Sequence, residues 1–432
     1  MDRMAGFIQA LEERDSTKAF IRVGLIGAGK MGKAIIHQAN ATKGVKLVAL
    51  AEKELPRAYA ALKELGYHRS LIESSESPAE LSKAVDKGRM VLTANASNLV
   101  EIPDIDVIID ATGEVEVGAQ LGYAAIMNKK NFIMMNAEAD ATIGPILSRL
   151  ASAAGVVYTG DLGDEPGTVM NYLYEPFASM GFRVIAAGKG KNNPLNRYAT
   201  PESFKDDAEA RSLNPVILAS FVDGTKTMVE MTVLSNATGL TPDIRGMHGP
   251  EARVGELGRI FRDKKSGGIL DNEGVVDYVI GIAPGVFVVV DIPDEEVRSN
   301  LNYLKVGEGP PYVFYRPYHL PGTETILTAI WAVHYHRPVI SAKGHFSDAI
   351  AIAKRDLKVG ETLDGIGGYT CYGSIEKRRI VREESLLPIG LSKEAKVRRP
   401  IKRDQPLTFE DVEVKEDLLV FHLWKLQEKT LG

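Results

Sequence analysis

The segment 223–231 carries one lysine and two carboxylates at spacings that suit acid–base chemistry. Its apolar residues predict a helix that runs to about Ala237, and Lys226 and Glu230, four residues apart, then lie on one face of it. Because this helix is rich in Met, Val, Leu and Ala, it should be mostly buried. A buried Lys–Glu pair is costly unless it performs a task, so Lys226 is a candidate acid or base at a carbonyl, with Asp223 and Glu230 beside it. The alternative is an ordinary surface ion pair.

A second polar segment, 188–196, follows a strand-like run at 184–187. It combines glycine, lysine and asparagine residues and contains a proline, which predicts a loop. The two glycines would let the backbone approach a ligand, and the polar side chains would supply donors for a phosphate or carboxylate. The candidate substrate-binding residues of this loop are Lys189, Lys191, Asn192 and Asn193. A flexible basic turn is the alternative.

One loop histidine and four carboxylates complete the candidates: His248, Glu138, Asp140, Asp164 and Glu165. His248 could hydrogen-bond a substrate or ligate a metal. Glu138 is a candidate catalytic group, and the other carboxylates are candidate ligands for a hard cation such as Mg²⁺ or Mn²⁺. Helix capping and a negatively charged first helical turn are the alternative roles.

The elements that must position these groups begin with a glycine-rich turn. An apolar run at 23–26 predicts a buried strand, and Gly27, Gly29 and Gly32 follow with G-x-G-x-x-G spacing before apolar residues at helical spacing. Strand, glycine turn and helix are the context of a dinucleotide-binding site. Gly27 permits the tight turn, Gly29 lets the backbone approach a pyrophosphate, and Gly32 lets helix and strand pack closely.

The candidate cofactor-binding residues are Gly27, Ala28, Gly29, Lys30, Met31, Gly32, Glu52, Lys53, Thr112 and Gly113. Glu52 follows a predicted strand, Val45–Ala51, where an acid binds the ribose hydroxyls of NAD. Lys53 and Arg57 could instead meet the 2′-phosphate of NADP, so both cofactors stay open. Thr112 and Gly113 follow a predicted strand, Val107–Asp110, whose carboxyl end faces the ligand.

Strands and helices alternate from residue 22 to residue 160, which predicts an α/β fold with a Rossmann-type, doubly wound parallel sheet. A chain of 432 residues is too long for one hydrophobic core. We expect three domains: a dinucleotide-binding domain at 1–160, an α+β substrate domain at 161–340 and a small C-terminal module at 341–432.

The overall composition limits which binding partners and which cellular compartment we expect. The formal net charge of −5 gives no general attraction to nucleic acid, and apolar stretches are too short to span a membrane. A single cysteine, Cys371, excludes an intrachain disulfide and favours a reducing compartment. We therefore expect a cytoplasmic protein with a small-molecule substrate, no nucleic-acid or membrane partner, and a homo-oligomeric state.

The order of these motifs resembles that of homoserine dehydrogenases and their relatives. In that family the strand at 132–135 is followed by a lysine that faces the substrate, and this chain has Glu138 there. The resemblance also matches Asp223, Lys226 and Glu230 to the helix that carries the family's catalytic residues.

Segments 136–140, 163–166, 188–196, 223–231, 236–243 and 246–250 together resemble the deoxyxylulose-5-phosphate reductoisomerase-like proteins, which are relatives of homoserine dehydrogenase. That resemblance implies NADPH-dependent rearrangement and reduction of a phosphorylated ketose, with a divalent metal. Two similar segments, 351–362 and 397–411, resemble the signature of SAF domains, which implies a β-clip fold for the C-terminal module.

The leading hypothesis is an NAD(P)-dependent oxidoreductase that acts on a small phosphorylated ketose such as 1-deoxy-D-xylulose 5-phosphate, a precursor in isoprenoid synthesis. One alternative is a homoserine-dehydrogenase-type oxidoreductase acting on another small polar alcohol or aldehyde. A second is a non-catalytic nucleotide-sensing protein.

Overall fold

The computed structural model describes residues 6–210, 213–307 and 309–431. The chain forms two compact units, the first made of Met1–Asp164 and Leu320–Ser341, the second of Glu165–His319 and Ala342–Gly432. This division differs from the three predicted domains. Residues 320–341 return to the first unit, and the predicted C-terminal module lies in the same unit as residues 165–319.

The first unit is built on a seven-stranded parallel sheet. Its strands are β1 (Ile21–Ile26), β2 (Val45–Ala51), β3 (Ile72–Ser74), β4 (Met90–Thr93), β5 (Val107–Asp110), β6 (Asn131–Met134) and β7 (Tyr158–Gly160). Across the sheet their order is β3-β4-β2-β1-β5-β6-β7. The order reverses between β1 and β5, which is where ligands bind in such sheets. The predicted α/β fold with a doubly wound sheet is confirmed.

Seven helices accompany these strands: α1 (Phe7–Ser16), α2 (Lys30–Ala41), α3 (Leu55–Glu64), α4 (Pro78–Asp86), α5 (Asn98–Glu101), α6 (Val115–Met127) and α7 (Ala137–Ala154). The apolar face of α2, with Ile35, Ile36 and Ala39, packs in one cluster with Leu25 and Leu50 of the sheet. These side chains recur at helical spacing, so one face of α2 is buried and its N-terminus is held beside β1.

The second unit contains a four-stranded mixed sheet. Its strands are β8 (Arg183–Lys191), β9 (Val275–Ile280), β10 (Val286–Asp291) and β11 (Tyr312–Arg316), in the order β11-β10-β8-β9. β8 and β9 are parallel, and the other pairs are antiparallel.

The helices of this part are α8 (Glu165–Val169), α9 (Glu175–Ser179), α10 (Lys205–Ala210), α11 (Pro215–Val222), α12 (Thr225–Thr238), α13 (Leu257–Ile260) and α14 (Glu295–Tyr303), with a π-helical segment, Met170–Tyr174, joining α8 to α9. Helix α12 is buried along nearly its whole length, as predicted. Its Met228, Met231 and Leu234 pack with Ala187 and Val288 of the mixed sheet.

The loop predicted at 188–196 is wrong in its first half, because residues 188–191 continue β8. A Cβ at Gly188 would overlap the carbonyl oxygen of Asp277, and one at Gly190 would overlap the backbone of Ala283. The two glycines therefore allow close approach of neighbouring backbone in the same unit. A ligand is not needed to explain them.

Helix α15 (Thr325–Val333) belongs to the first unit. Ile326, Ala329 and Ile330 of this helix pack in the core of the parallel sheet.

The C-terminal region contains β12 (Ser347–Ala353), β13 (Cys371–Lys377), α16 (Arg378–Glu383), β14 (Lys396–Val397), β15 (Val412–Glu413) and α17 (Leu419–Leu431). The strands form two antiparallel pairs, β12–β13 and β14–β15. The region is bound to α12 by a hydrogen bond between the hydroxyls of Ser235 and Ser347 (2.7 Å) and one from the Gly373 amide to Thr225 (2.7 Å). Its SAF-like β-clip fold stays a prediction. Within the described ranges, no helix is long and apolar enough to span a membrane.

Candidate cofactor and active sites

The glycine turn of the first unit has the conformation that an anion site at a helix N-terminus requires. Gly27 has φ of 97°, in the region that favours glycine, and a Cβ at Gly32 would overlap the carbonyl oxygen of Gly27. Helix α2 begins at Lys30, and its N-cap is Gly29, which offers no capping side chain. The amides of the first helical turn can therefore bind a phosphate.

The carboxylate of Glu52 lies against this turn. Its Oε2 accepts a hydrogen bond from the Ala28 amide at 2.8 Å, and its Oε1 accepts one from the Glu54 amide at 3.1 Å. Lys53 is exposed, and Arg57 pairs with Glu54 at 3.3 Å. Of the three predicted ribose or phosphate contacts, Glu52 is the one that touches the turn directly.

Polar atoms without partners lie at the end of β5. The Thr112 amide donates to Asp110 Oδ1 at 3.0 Å. Burial raises the pKa of Asp110 to about 6, and the charge of Glu138 adds to the rise. Among the described residues, the Thr112 hydroxyl and Asp110 Oδ2 are buried without a hydrogen-bond partner. Buried polar groups are normally paired, so these atoms fit a polar ligand beside the glycine turn.

The acids after β6 lie in the first turn of α7. The helix begins at Ala137 and is capped by Asn136, whose side chain accepts from the Ala139 amide. Glu138 is half-buried. Asp140 accepts a hydrogen bond from the Tyr158 hydroxyl at 2.7 Å, and burial raises its pKa to about 6. The Asp140 carboxylate thus has a hydrogen-bond partner within the first unit.

The lysines of β8 form the centre of a buried charge cluster in the second unit. Lys189 donates hydrogen bonds to both Glu165 and Glu230. Burial alone would lower the pKa of Lys189, but the two carboxylates raise it above its usual value, so the ammonium stays charged. Because side chains two residues apart share a strand face, Lys191 lies on the same face as Lys189.

Lys191 has a less stabilising environment than Lys189. Its Nζ donates to the Phe221 carbonyl at 2.8 Å. Burial and then the charge of Lys189 lower its pKa to about 8. Asn192 and Asn193, the other predicted ligand-binding residues, follow the end of β8, where Asn192 is exposed and Asn193 is half-buried.

The predicted pair on α12 is present. Lys226 Nζ lies 3.9 Å from Glu230 Oε1, four residues further along the helix. Burial raises the pKa of Glu230, and the charge of Glu165 raises it further. The Lys226 side chain retains 18% exposure, whereas that of Glu230 is almost fully buried. Lys226 is therefore the group of this pair that a substrate can reach.

Asp223 is held by other groups. It accepts hydrogen bonds from Lys354 at 2.9 Å and from the Thr225 amide at 2.8 Å, one on each carboxylate oxygen. Lys354 also donates to the carbonyls of Ala199 and Gly368. These contacts fix the start of α12, which gives Asp223 a positioning role. Lys354 escaped the sequence analysis because it lies 131 residues from Asp223 along the chain.

His248 pairs with a carboxylate of its own loop. Its Nε2 lies 2.9 Å from Asp243 Oδ2, and its amide donates to Asp277 at 3.1 Å. Asp277 is buried, and this burial raises its pKa to about 6. The His248 ring is 15% exposed, so one edge remains open to a ligand.

A second histidine, His319, joins the cluster and was missed from the sequence. Its Nδ1 lies 2.8 Å from the Pro284 carbonyl, which can only accept, so Nδ1 carries a hydrogen. Its Nε2 lies 3.3 Å from Glu165 Oε1. His319 therefore lies beside the buried carboxylate of Glu165. No local motif marks His319, and only the tertiary fold brings it to Glu165.

The predicted metal ligands do not form a vacant cation site in the second unit. Glu165 and Glu230 offer carboxylate oxygens within 4.8 Å of each other, which suits a divalent ion. However, Lys189 donates to both of them. Asp164, next to Glu165 in sequence, is half-buried. A divalent ion would have to displace the Lys189 ammonium, so this donor set does not fit one.

Comparison with known proteins matches most of both sites to two family models. Residues 24–159 match "Homoserine dehydrogenase, NAD binding domain", and residues 163–325 match "Oxidoreductase DRL, catalytic domain". A homoserine dehydrogenase of Bacillus subtilis (strain 168) is 27% identical over 135 residues, which is 31% of this chain. The chain spans only 28% of that relative's length.

Two solved structures are distantly similar. A DOX-P reductoisomerase, solved with fosmidomycin and magnesium, has a TM-score of 0.41 at 13% identity, covering 72% of this chain and 79% of that one. A myo-inositol 2-dehydrogenase from Lactobacillus plantarum has a TM-score of 0.35 at 13% identity, covering 64% and 75%.

The parallel sheet and its glycine turn thus lie in a region similar to a homoserine-dehydrogenase-type NAD-binding domain, and the following region is similar to an oxidoreductase catalytic domain. The catalytic-domain match extends over Glu165, Lys189, Lys191, Lys226 and Glu230, all members of the buried cluster.

Proposed function

We propose that this oxidoreductase acts on a small phosphorylated ketose, by a base-assisted carbon shift followed by reduction, as in the reductoisomerase-like proteins. The observation that carries the proposal is the concentration of three lysines, Lys189, Lys191 and Lys226, around two buried glutamates within the DRL-type catalytic domain. Substrates with several oxygens and a phosphate need several cationic donors in one place.

Each cation has a distinct place in this proposal. Lys189 is fully engaged by Glu165 and Glu230 and holds the two carboxylates together. Lys226, part-exposed, donates a proton to the carbonyl oxygen as hydride reaches the carbonyl carbon, giving an alcohol. Lys191 binds an anionic group of the substrate.

The proton of the preceding carbon shift requires a base. Glu230 lies beside Lys226, and Glu165 lies beside His319, so carboxylates of the cluster can accept the hydroxyl proton of the substrate. The nicotinamide cofactor, when bound, supplies the hydride. Glu138 stays a candidate catalytic group of the first unit, and Asn192, Asn193 and His248 stay candidate substrate contacts.

A second candidate is the oxidation of a small polar alcohol without isomerisation. The observation that favours it is the homoserine-dehydrogenase-type NAD-binding domain. A turnover assay with each type of substrate distinguishes the two proposed reactions. The leading proposal expects 1-deoxy-D-xylulose 5-phosphate to consume NADPH or NADH and to yield a rearranged alcohol. Oxidation of an amino alcohol with no consumption by the ketose phosphate would contradict it.

The role of Lys226 is tested by Lys226→Met, which keeps the length of the side chain and removes its charge. We expect kcat to fall by about two to three orders of magnitude because a proton donor is lost. Cofactor binding, measured by the shift in melting temperature, should not change. Lys205→Met, at an exposed lysine of α10, is the matched control and should retain full activity. Full activity of Lys226→Met would remove Lys226 from the mechanism.

A further inference from the structure

Two buried carboxylates of the second unit lie at a separation typical of a divalent-cation site. Glu165 opens α8 and Glu230 lies in the middle of α12, and their oxygens lie within 4.8 Å of each other. Carboxylates from two elements, turned toward one point in the interior, are the usual ligands of Mg²⁺ and Mn²⁺. The sequence resemblance led us to expect such a metal.

An ammonium group already lies at that point. Lys189 Nζ donates to Oε1 of Glu165 and to Oε2 of Glu230. The three residues are only 5%, 5% and 2% exposed. Lys189 extends from β8, which is paired with β9 on one side and β10 on the other, so its backbone cannot move aside without breaking the sheet.

Lysines pair with both glutamates without a metal. Glu165 and Glu230 carry two negative charges, and Lys189 and Lys226 carry two positive charges. His319 Nε2 lies 3.3 Å from Glu165 Oε1. A divalent ion placed between the two glutamates would lie beside the Lys189 ammonium in a low-dielectric interior, where repulsion between the two cations is unfavourable.

We propose that Lys189 takes the place of a divalent cation between Glu165 and Glu230. The native pair then binds neither Mg²⁺ nor Mn²⁺, and removal of the Lys189 ammonium converts it into a divalent-cation site. This inference does not depend on the identity of the substrate. It implies that a chelator removes no ion from between Glu165 and Glu230.

Titration of the full-length protein with Mn²⁺, followed by the electron paramagnetic resonance signal of the free ion, tests the proposal. The proteins compared are the wild type, Glu230→Gln, Lys189→Ala and the double variant Lys189→Ala/Glu230→Gln. We expect the wild type to bind no Mn²⁺ that depends on Glu230. Lys189→Ala should bind one equivalent and gain several degrees in melting temperature with Mn²⁺. The double variant should lose both effects.

Two results would overturn the proposal. The first is one equivalent of Mn²⁺ bound by the wild type and lost in Glu230→Gln, which would show that a metal displaces Lys189. The second is a folded Lys189→Ala protein that binds no Mn²⁺. Mn²⁺ binding by the wild type that Glu230→Gln does not change lies elsewhere and agrees with the proposal. If Lys189→Ala does not fold, the comparison of the wild type with Glu230→Gln still decides whether the native pair of glutamates binds Mn²⁺.

Discussion

At the scale of single residues, the structure distinguishes the surroundings of charged side chains that the sequence could only list as candidates. Lys226 and Glu230 form the predicted pair. Asp223 instead accepts a hydrogen bond from Lys354 and helps to fix the start of α12. Lys189 and Lys191 are adjacent on one strand face, yet burial lowers the pKa of Lys191 while carboxylates raise that of Lys189. One lysine is a fixed charge and the other titrates.

The titration of Lys191 gives a prediction for pH dependence. Its pKa of about 8 means that the cation is present below that pH and is lost as the pH rises through it. If Lys191 binds an anionic substrate, kcat/KM should fall with a midpoint near pH 8, since kcat/KM reports ionisations of the free enzyme. Lys191→Met should lower the neutral-pH value by about tenfold and abolish this inflection. An unchanged inflection in Lys191→Met would contradict the role of Lys191.

At the scale of elements, apolar strands could be predicted from the sequence, whereas the polar end of a strand could not. The predicted boundaries of β2 and β5 are those observed, because each strand is a short, largely buried and mainly apolar run. The sequence predicts a loop at the end of β8 because Gly-Lys-Gly-Lys lacks apolar side chains. Its alternation is that of a strand with glycines toward neighbouring backbone and lysines toward a charge cluster.

The residues contributed from distant elements could not be predicted. His319 and Lys354 reach Glu165 and Asp223 only through the tertiary fold, and neither lies in a local motif. The glycine turn was predictable because all of its parts lie within one short segment.

The packing role of Gly188 is tested by Gly188→Ala. A Cβ there would overlap the Asp277 carbonyl, so we expect the free energy of unfolding to fall by about 1–3 kcal/mol. Gly255→Ala is the control, because Gly255 is exposed and a Cβ there meets nothing within 4 Å. Its effect should stay within about 0.5 kcal/mol. Urea denaturation measures both, and equal stability of Gly188→Ala and wild type would show that the glycine serves a ligand instead.

At the scale of the whole molecule, the two compact units carry different parts of the proposed chemistry. The first contains the glycine turn, Glu52 and Thr112, and it is completed by α15, which returns from late in the chain. The second contains the charge cluster and the C-terminal region bound to α12. Cofactor binding and substrate binding can therefore be tested by separate substitutions in the full-length protein.

The measurement that tests the central claim most directly is the melting temperature of the full-length protein with saturating NADH or NADPH, for the wild type and Gly29→Ala. A Cβ at Gly29 meets nothing within 4 Å, so the variant should fold, but its methyl group lies where backbone must approach a pyrophosphate. We predict an upward shift for the wild type, about 2.7 kcal/mol of added stability at one hundred times Kd. Gly29→Ala should lose most of it. No shift of the wild type with either cofactor would contradict the account.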